Sequence, residues 1–263
     1  INNFQSGSSE VETLRILLHG PQGAGKSSFF NSVNNVFEGR ITTRALTQSI
    51  NFGKSFTLEV KNDKTGSFFP FSFTDIAGMH NETKTGTIQT DDIIKLLKGH
   101  ILDGYTFNPV KSIGEEDPKY KRNPVLKDRI HCLVAVISAS TVSVMDEKII
   151  KQMRDVREKA RDLGIPQVII LTKVDEVCPL LKDNLEKIYT SKKIKQKVRF
   201  KCCSNCLGIP VSNIYPVKNY HEERATNATM DILILDALQN IVNFANDYVE
   251  DQTDNEKVPL KSS

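Results

Sequence analysis

Apolar runs alternate with amphipathic stretches along most of the chain, the pattern of a parallel sheet covered by helices. Leu14 to Leu18 is a short apolar run suited to a central strand, and Ser28 to Phe37 has helical spacing. "FTLEV" and "FPFSFTD" predict two strands joined through the polar turn "KNDKTG", a hairpin signal. His131 to Ser138 predicts a buried strand, and "MDEKIIKQMRDVREKARDLG" a long helix ended by Gly164 and Pro166. "QVIILTKVD" predicts another buried strand with its exit loop. Asn184 to Leu207 is mostly helical in pattern, and Asn213 to Val217 is a last short strand. Leu235, Leu238, Val242, Ala245 and Val249 then recur at helical spacing, and a polar tail follows from residue 250 to 263.

One region breaks the alternation. About fifty residues separate Gly78 from His131, where the crossover between two parallel strands needs only a single helix. "TDDIIKLLKGHILDGY" reads as helical, and the segment after it as a loop punctuated by Pro109, Pro118 and Pro124. Long ordered insertions usually serve a function or cover something. The expected organisation is a polar lead-in over 1–12, one α/β domain over 13–249 with an insertion at about 80–130, and the tail. The lead-in reads as exposed by truncation of an upstream domain.

Composition narrows the class without naming it. The 263 residues are 39% hydrophobic and 25% charged, an ordinary globular balance. No apolar run reaches the ~18 residues of a membrane-spanning helix, and no signal peptide opens the chain. A net charge of +3 is too small to imply nucleic-acid binding. The basic stretch from Ser191 to Lys201 reads as a solvated helix face, with an anionic-partner patch as the alternative. Five cysteines without a regular framework point to a reducing compartment and free thiols. "CCSNC" has no second Cys/His pair at zinc-site spacing.

The chemistry concentrates in "GPQGAGKSSFF", Gly20 to Phe30, between a strand and a helix. The spacing is G-x-x-x-x-G-K-S. Closely spaced glycines let consecutive N–H groups turn inward around phosphate oxygens, so Gly20, Gln22, Gly23, Ala24, Gly25 and Ser28 are candidate phosphate contacts. Lys26 would reach the outer phosphates, and Ser27 would offer its hydroxyl to Mg²⁺ at the positive end of the next helix. "TDIAG" adds Asp75 for the Mg²⁺ shell and the Gly78 N–H for a terminal phosphate.

"LTKVDEV" then selects the base. Thr172, Lys173 and Asp175 stand at the carboxyl end of a predicted buried strand, the edge where open α/β sheets bind ligands. A carboxylate at Asp175 can accept the ring N–H and the exocyclic amino group of guanine together. Adenine offers no such pair of donors. The Lys173 stem can lie over the base plane.

The order of phosphate loop, D-x-x-G and T-K-x-D resembles the translation-factor-like P-loop GTPases along nearly the whole chain. That resemblance implies a three-layer α/β fold, GTP or GDP as ligand with Mg²⁺, and a base-contacting loop in "PVKNY", where Lys218 and Asn219 are candidates. "GKSSFFNSV", "DDIIKLLKGHI", "YTFNPVKSI" and "LKDRIHCLVAVISAS" resemble the GTPase region of the interferon-induced protein 44 and 44-like family more narrowly. This implies a cytoplasmic, interferon-responsive protein with antiviral association, whose nucleotide-binding region follows a separate N-terminal domain. "GRITTRALTQS" resembles the dynamin-type G-x-x-T-R segment, which makes Thr42 the switch threonine for Mg²⁺ and water; Thr43 and Thr47 are the alternatives.

Hydrolysis is where the chain departs from Ras-like GTPases. The place of their water-positioning glutamine is held by Met79, which lacks an amide. His80 could substitute if turned inward; a surface histidine without a role is the other reading. A guanine-nucleotide-binding protein with slow intrinsic hydrolysis, helped by a homodimer or protein partner, is expected. A nucleotide-dependent scaffold and a P-loop ATPase or kinase are the alternatives.

Overall fold

The computed structural model describes residues 8–42, 56–61, 68–76, 78–79, 88–177, 181, 184–188 and 199–257. Its strands are β1 (Leu14–His19), β2 (Phe56–Lys61), β3 (Phe68–Asp75), β4 (Cys132–Ser138), β5 (Gln167–Thr172) and β6 (Ile214–Pro216). Its α-helices are α1 (Lys26–Glu38), α2 (Thr90–Leu97), α3 (Glu147–Asp162), α4 (Arg199–Leu207) and α5 (Ala228–Lys257).

The strands form one sheet in the order β2-β3-β1-β4-β5-β6. Only β2 runs antiparallel, on β3, as the hairpin reading expects. The other neighbours are parallel, with Leu17 opposite Thr74 and Leu133, and Ile170 opposite Val136 and Tyr215. Helices α1 and α5 pack on each other and on the sheet, while α3 contacts α2, α4 and β5 in a second helical layer. The fold is a three-layer α/β arrangement of mostly parallel strands.

Central strands are apolar throughout because both faces are covered. β4 is buried along its whole length, and β1 is buried at every position except partly covered Arg15. Period-two spacing puts Phe69, Phe71 and Phe73 on one face of β3. There α1 lays Phe29 and Phe30 edge-on against Phe73, at 6.2 and 5.9 Å between centroids, and Phe37 against Phe69 at 4.4 Å.

Four stretches differ from the sequence expectation. The helix expected to continue to Tyr105 stops at Leu97, because Gly99 turns left-handed at φ 84° and a side chain there would meet the Asp128 carbonyl at 2.8 Å. Helix α5 runs on to Lys257, well into the expected tail. Polar residues carry it: Thr253 is buried and donates to the Val249 carbonyl at 2.8 Å, and no glycine or proline intervenes before Pro259. In the expected lead-in, Ser8 and Val11 are buried. The helical stretch from Asn184 is a 3₁₀ turn over Leu185–Ile188 and then α4; residues 189–198, with most of the basic cluster, lie outside the described residues.

The insertion is held by buried polar contacts. Asp92 is fully buried, accepts from the Ile113 N–H at 2.9 Å and from the Ser112 hydroxyl, and so fastens α2 to its return loop. Further on, His131 accepts the Arg15 N–H on Nδ1 at 2.9 Å and contacts the Leu126 carbonyl through Nε2 at 2.9 Å. Both contacts need the neutral Nε2–H tautomer, and burial lowers the pKa to about 4. The folded value lies below the unfolded 6.5, so this contribution is complete above pH 6.5 and is lost as pH falls toward 4. The unfolding free energy from urea titrations should therefore drop over that window, by at most ~1.4 kcal/mol per pH unit from this residue. His131→Gln should be weaker at pH 7.5 and lose less on acidification.

Candidate functional site

All parallel strands end at one edge, and the motifs gather there because each directly follows a strand. β1 leads into the glycine loop, where Gly20, Gly23 and Gly25 take positive φ, and α1 begins at Lys26. The Lys26 side chain is buried and folds back over the loop, donating to the Gly20 and Pro21 carbonyls at 3.1 and 3.2 Å. Gln22, Gly23 and Ser28 are exposed on the loop and first helical turn.

β3 brings Asp75 beside this loop. The Ser27 hydroxyl donates to Asp75 Oδ2 at 2.6 Å. Asp75 Oδ1 is buried without a hydrogen-bond partner. Burial raises the Asp75 pKa, opposed by Lys26 and the Ser27 bond; burial lowers that of Lys26, opposed by Asp75. An unmatched buried carboxylate oxygen next to a hydroxyl is the donor set a hard divalent cation takes, so Ser27 and Asp75 fit Mg²⁺.

The chain after Asp75 folds onto the glycine loop. The Met79 N–H donates to the Gly20 carbonyl at 3.1 Å, and the Gln22 N–H to the Met79 carbonyl at 3.2 Å. Gly78 sits so close that an added Cβ would lie 2.5 Å from Gln22 Cα. Met79 is buried at the place of the water-positioning glutamine. His80 lies outside the described residues.

Two contacts clamp the loop from the far strands. The Thr172 hydroxyl donates to the Ala24 carbonyl at 2.6 Å, and Asn219 Nδ2 to the Gly25 carbonyl at 3.2 Å. Asn219, expected as a base contact, also ties its loop to the phosphate loop through this bond. The Tyr220 N–H donates to Ser32 Oγ at 3.0 Å, tying the same segment to α1.

The residues expected to meet the base follow β5 and β6 next to this clamp. Lys173 takes a left-handed φ of 55° and turns the chain so that Asp175 follows on a 3₁₀ turn. Lys218 Nζ lies 3.9 Å from Asp175 Oδ2 and 2.9 Å from Glu223 Oε1. Burial works to raise the Glu223 pKa, but the His221 N–H and Lys218 outweigh it and hold the carboxyl at about 2.

Thr42 is not brought to this site. Its N–H and hydroxyl meet Asn35 Oδ1 at 2.7 and 2.9 Å, and Asn34 Nδ2 donates to its hydroxyl at 3.0 Å. Those asparagines are seven and eight residues past Ser27, roughly 10–12 Å along the helix at 1.5 Å per residue. Thr43 and Thr47, the alternatives to Thr42, lie outside the described residues. Sequence reasoning missed Glu223, which sits five residues past Lys218 in an unpatterned turn. It also missed His19, whose one signal was a polar residue closing an apolar run. His19 is buried beside Lys26, and burial followed by that charge lowers its pKa to about 3. Among the described residues no helix is long and apolar enough to cross a membrane, and no group of three His, Cys, Asp or Glu could hold a metal. Cys132 and Cys203 are buried thiols.

Strand order, glycine loop and the Lys26–Ser27–Asp75 cluster define a P-loop nucleotide-binding protein with the GTPase arrangement. Relatives place it more narrowly. The chain is 36% identical over 254 residues to interferon-induced protein 44 of Homo sapiens, 35% to interferon-induced protein 44-like of Homo sapiens, and 34% over 246 residues to interferon-induced protein 44 of Mus musculus. The two human alignments cover 95% of this chain and 56% of each relative, and the mouse alignment 92% and 57%. Over that shared region the chain belongs to the interferon-induced protein 44 and 44-like family. It spans about half the length of the curated relatives it matches. No family model matches the chain. Among solved structures it superposes on a probable GTP-binding protein engB with a TM-score of 0.48 and 14% identity, covering 89% of this chain and 98% of that one. The fold assignment rests on the strand order instead.

Proposed function

We propose that this chain binds GTP and GDP with Mg²⁺ and hydrolyses GTP slowly. The observation that carries the reading is the buried Lys26 and the Ser27–Asp75 pair beside the glycine loop, with one Asp75 oxygen buried and unpartnered. Lys26 holds the charge of the outer phosphates, while Ser27 and Asp75 would hold Mg²⁺, which when bound neutralises phosphate charge. Asp175 supports guanine, because its carboxylate can accept two N–H groups from one base edge. Slow turnover follows from Met79, a buried thioether side chain where an amide would orient water. From the relatives' names we also infer induction by interferon. A cytoplasmic location, an antiviral association and a homodimer or protein partner that speeds hydrolysis belong to the same proposal.

The test is the identity of nucleotide retained through mild purification, followed by single-turnover hydrolysis. The rate should fall within an order of magnitude of the ~10⁻⁴ per second of unassisted Ras. Met79→Gln should help little, since the backbone of residue 79 is tied to Gly20 and Gln22 and its side chain points into the core. A parent faster than roughly one turnover per second without a partner would overturn slow hydrolysis. Retained guanine nucleotide with no measurable turnover would favour the scaffold reading, which the same burial of Met79 supports.

A further inference from the structure

Next to the base-recognition carboxylate lies a charge cluster that nucleotide binding alone does not require. Lys218 stands between two carboxylates, 2.9 Å from Glu223 and 3.9 Å from Asp175, and all three side chains are about one-quarter exposed (23%, 24% and 22%). The main chain around Lys218 is anchored, because Asn219 holds the Gly25 carbonyl and the Tyr220 N–H holds Ser32. Only the side-chain torsions of Lys218 therefore decide which carboxylate it serves. Glu223 is fixed in turn: its Oε2 accepts the His221 and Glu222 N–H groups at 2.9 and 3.2 Å, while Oε1 meets Lys218. Both of its oxygens are thus engaged within the protein.

We propose that Glu223 is a positioning residue that sets base specificity: it pins the Lys218 ammonium away from Asp175 and keeps both Asp175 oxygens available to guanine. The inference rests on the guanine reading above. Without the Glu223 charge, Lys218 has one carboxylate left to pair with, and a closer ammonium takes an oxygen that the base edge needs. A charge-assisted bond from lysine is a strong competitor for a neutral N–H donor. The arrangement also leaves the cluster at net −1, which favours the donor edge of guanine over a base edge that presents an acceptor.

The experiment is calorimetric titration of the full chain with GDP, inosine diphosphate and ADP. Inosine diphosphate keeps the ring N–H and lacks the exocyclic amino group, so its ratio to GDP isolates the second bond to Asp175. The parent should prefer GDP over inosine diphosphate by about tenfold, the worth of a hydrogen bond to a charged group. Glu223→Gln should lose most of that preference, and adding Lys218→Met should restore it by removing the competitor. A Glu223→Gln protein that keeps the parental ratio overturns the proposal. So does a loss that Lys218→Met fails to restore, since Glu223 would then only shape its turn. If Glu223→Gln does not fold by circular dichroism, Glu223→Asp takes its place. It keeps the charge at shorter reach, and a partial loss with the same rescue is expected. A parent that binds ADP as tightly as GDP is a separate failure, of the guanine reading itself.

Discussion

Lys26→Ala should abolish nucleotide binding. The lysine side chain is buried against the loop it serves, braced by the Gly20 and Pro21 carbonyls, so its ammonium is already positioned before a phosphate arrives. Alanine removes that charge-assisted contact and leaves Asp75 without the cation that opposes its desolvation. The Asp75 carboxyl then rises further in pKa, and Mg²⁺ affinity falls with it. Loss of one strong cation contact and part of the metal site together should cost at least about a hundredfold in affinity for GDP, by titration at neutral pH with Mg²⁺ present. Unchanged far-ultraviolet circular dichroism would show that the fold survives. GTP or GDP binding within about threefold of the parent would mean that the loop is not the phosphate site.

Asp175→Asn should exchange one base for another. The carboxylate presents two acceptors to guanine; an amide presents one acceptor and one donor, and its NH₂ would face the exocyclic amino group of the base. GDP should weaken by about a hundredfold, since two donors lose their ionised partner and one of them meets another donor. Xanthosine diphosphate, with a carbonyl in place of that amino group, should bind the variant more tightly than it binds the parent. The substitution also frees Lys218 from its longer contact, 3.9 Å from Asp175, while its Glu223 pair remains. Competition titrations with GDP, xanthosine diphosphate and ADP check the exchange. Equal affinity of the parent for ADP and GDP would sink the guanine assignment.

The alternation of apolar and amphipathic segments was enough to read an α/β sheet, because a strand covered on both faces must be apolar at nearly every position. β4 and β5 are such strands, and "GPQGAGKSS", Asp75 and "TKVD" could be placed at the ends of β1, β3 and β5 because each motif is contiguous. Contiguous patterns carry local chemistry, and local chemistry is what a linear reading can see. What the tertiary structure decided was how separate segments answer one another. Asn219 was legible as a base-contact candidate; that its side-chain amide also clamps the phosphate loop at Gly25 came only with the approach of the loop after β6. Thr42 matched a switch pattern, but two asparagines on the far turns of α1 are nearer partners for its hydroxyl than Ser27. Met79 was legible as a missing amide; its burial, and the backbone bridge that ties it to Gly20 and Gln22, were not. Helix α5 outlasted its apolar stripe because a helix once packed continues on propensity until a breaker stops it. Glu223 carried no sequence signal at all. Its role depends on a lysine side chain choosing between two carboxylates 48 positions apart in the chain (223 − 175), a choice set by distances that exist only after β5 and β6 have paired.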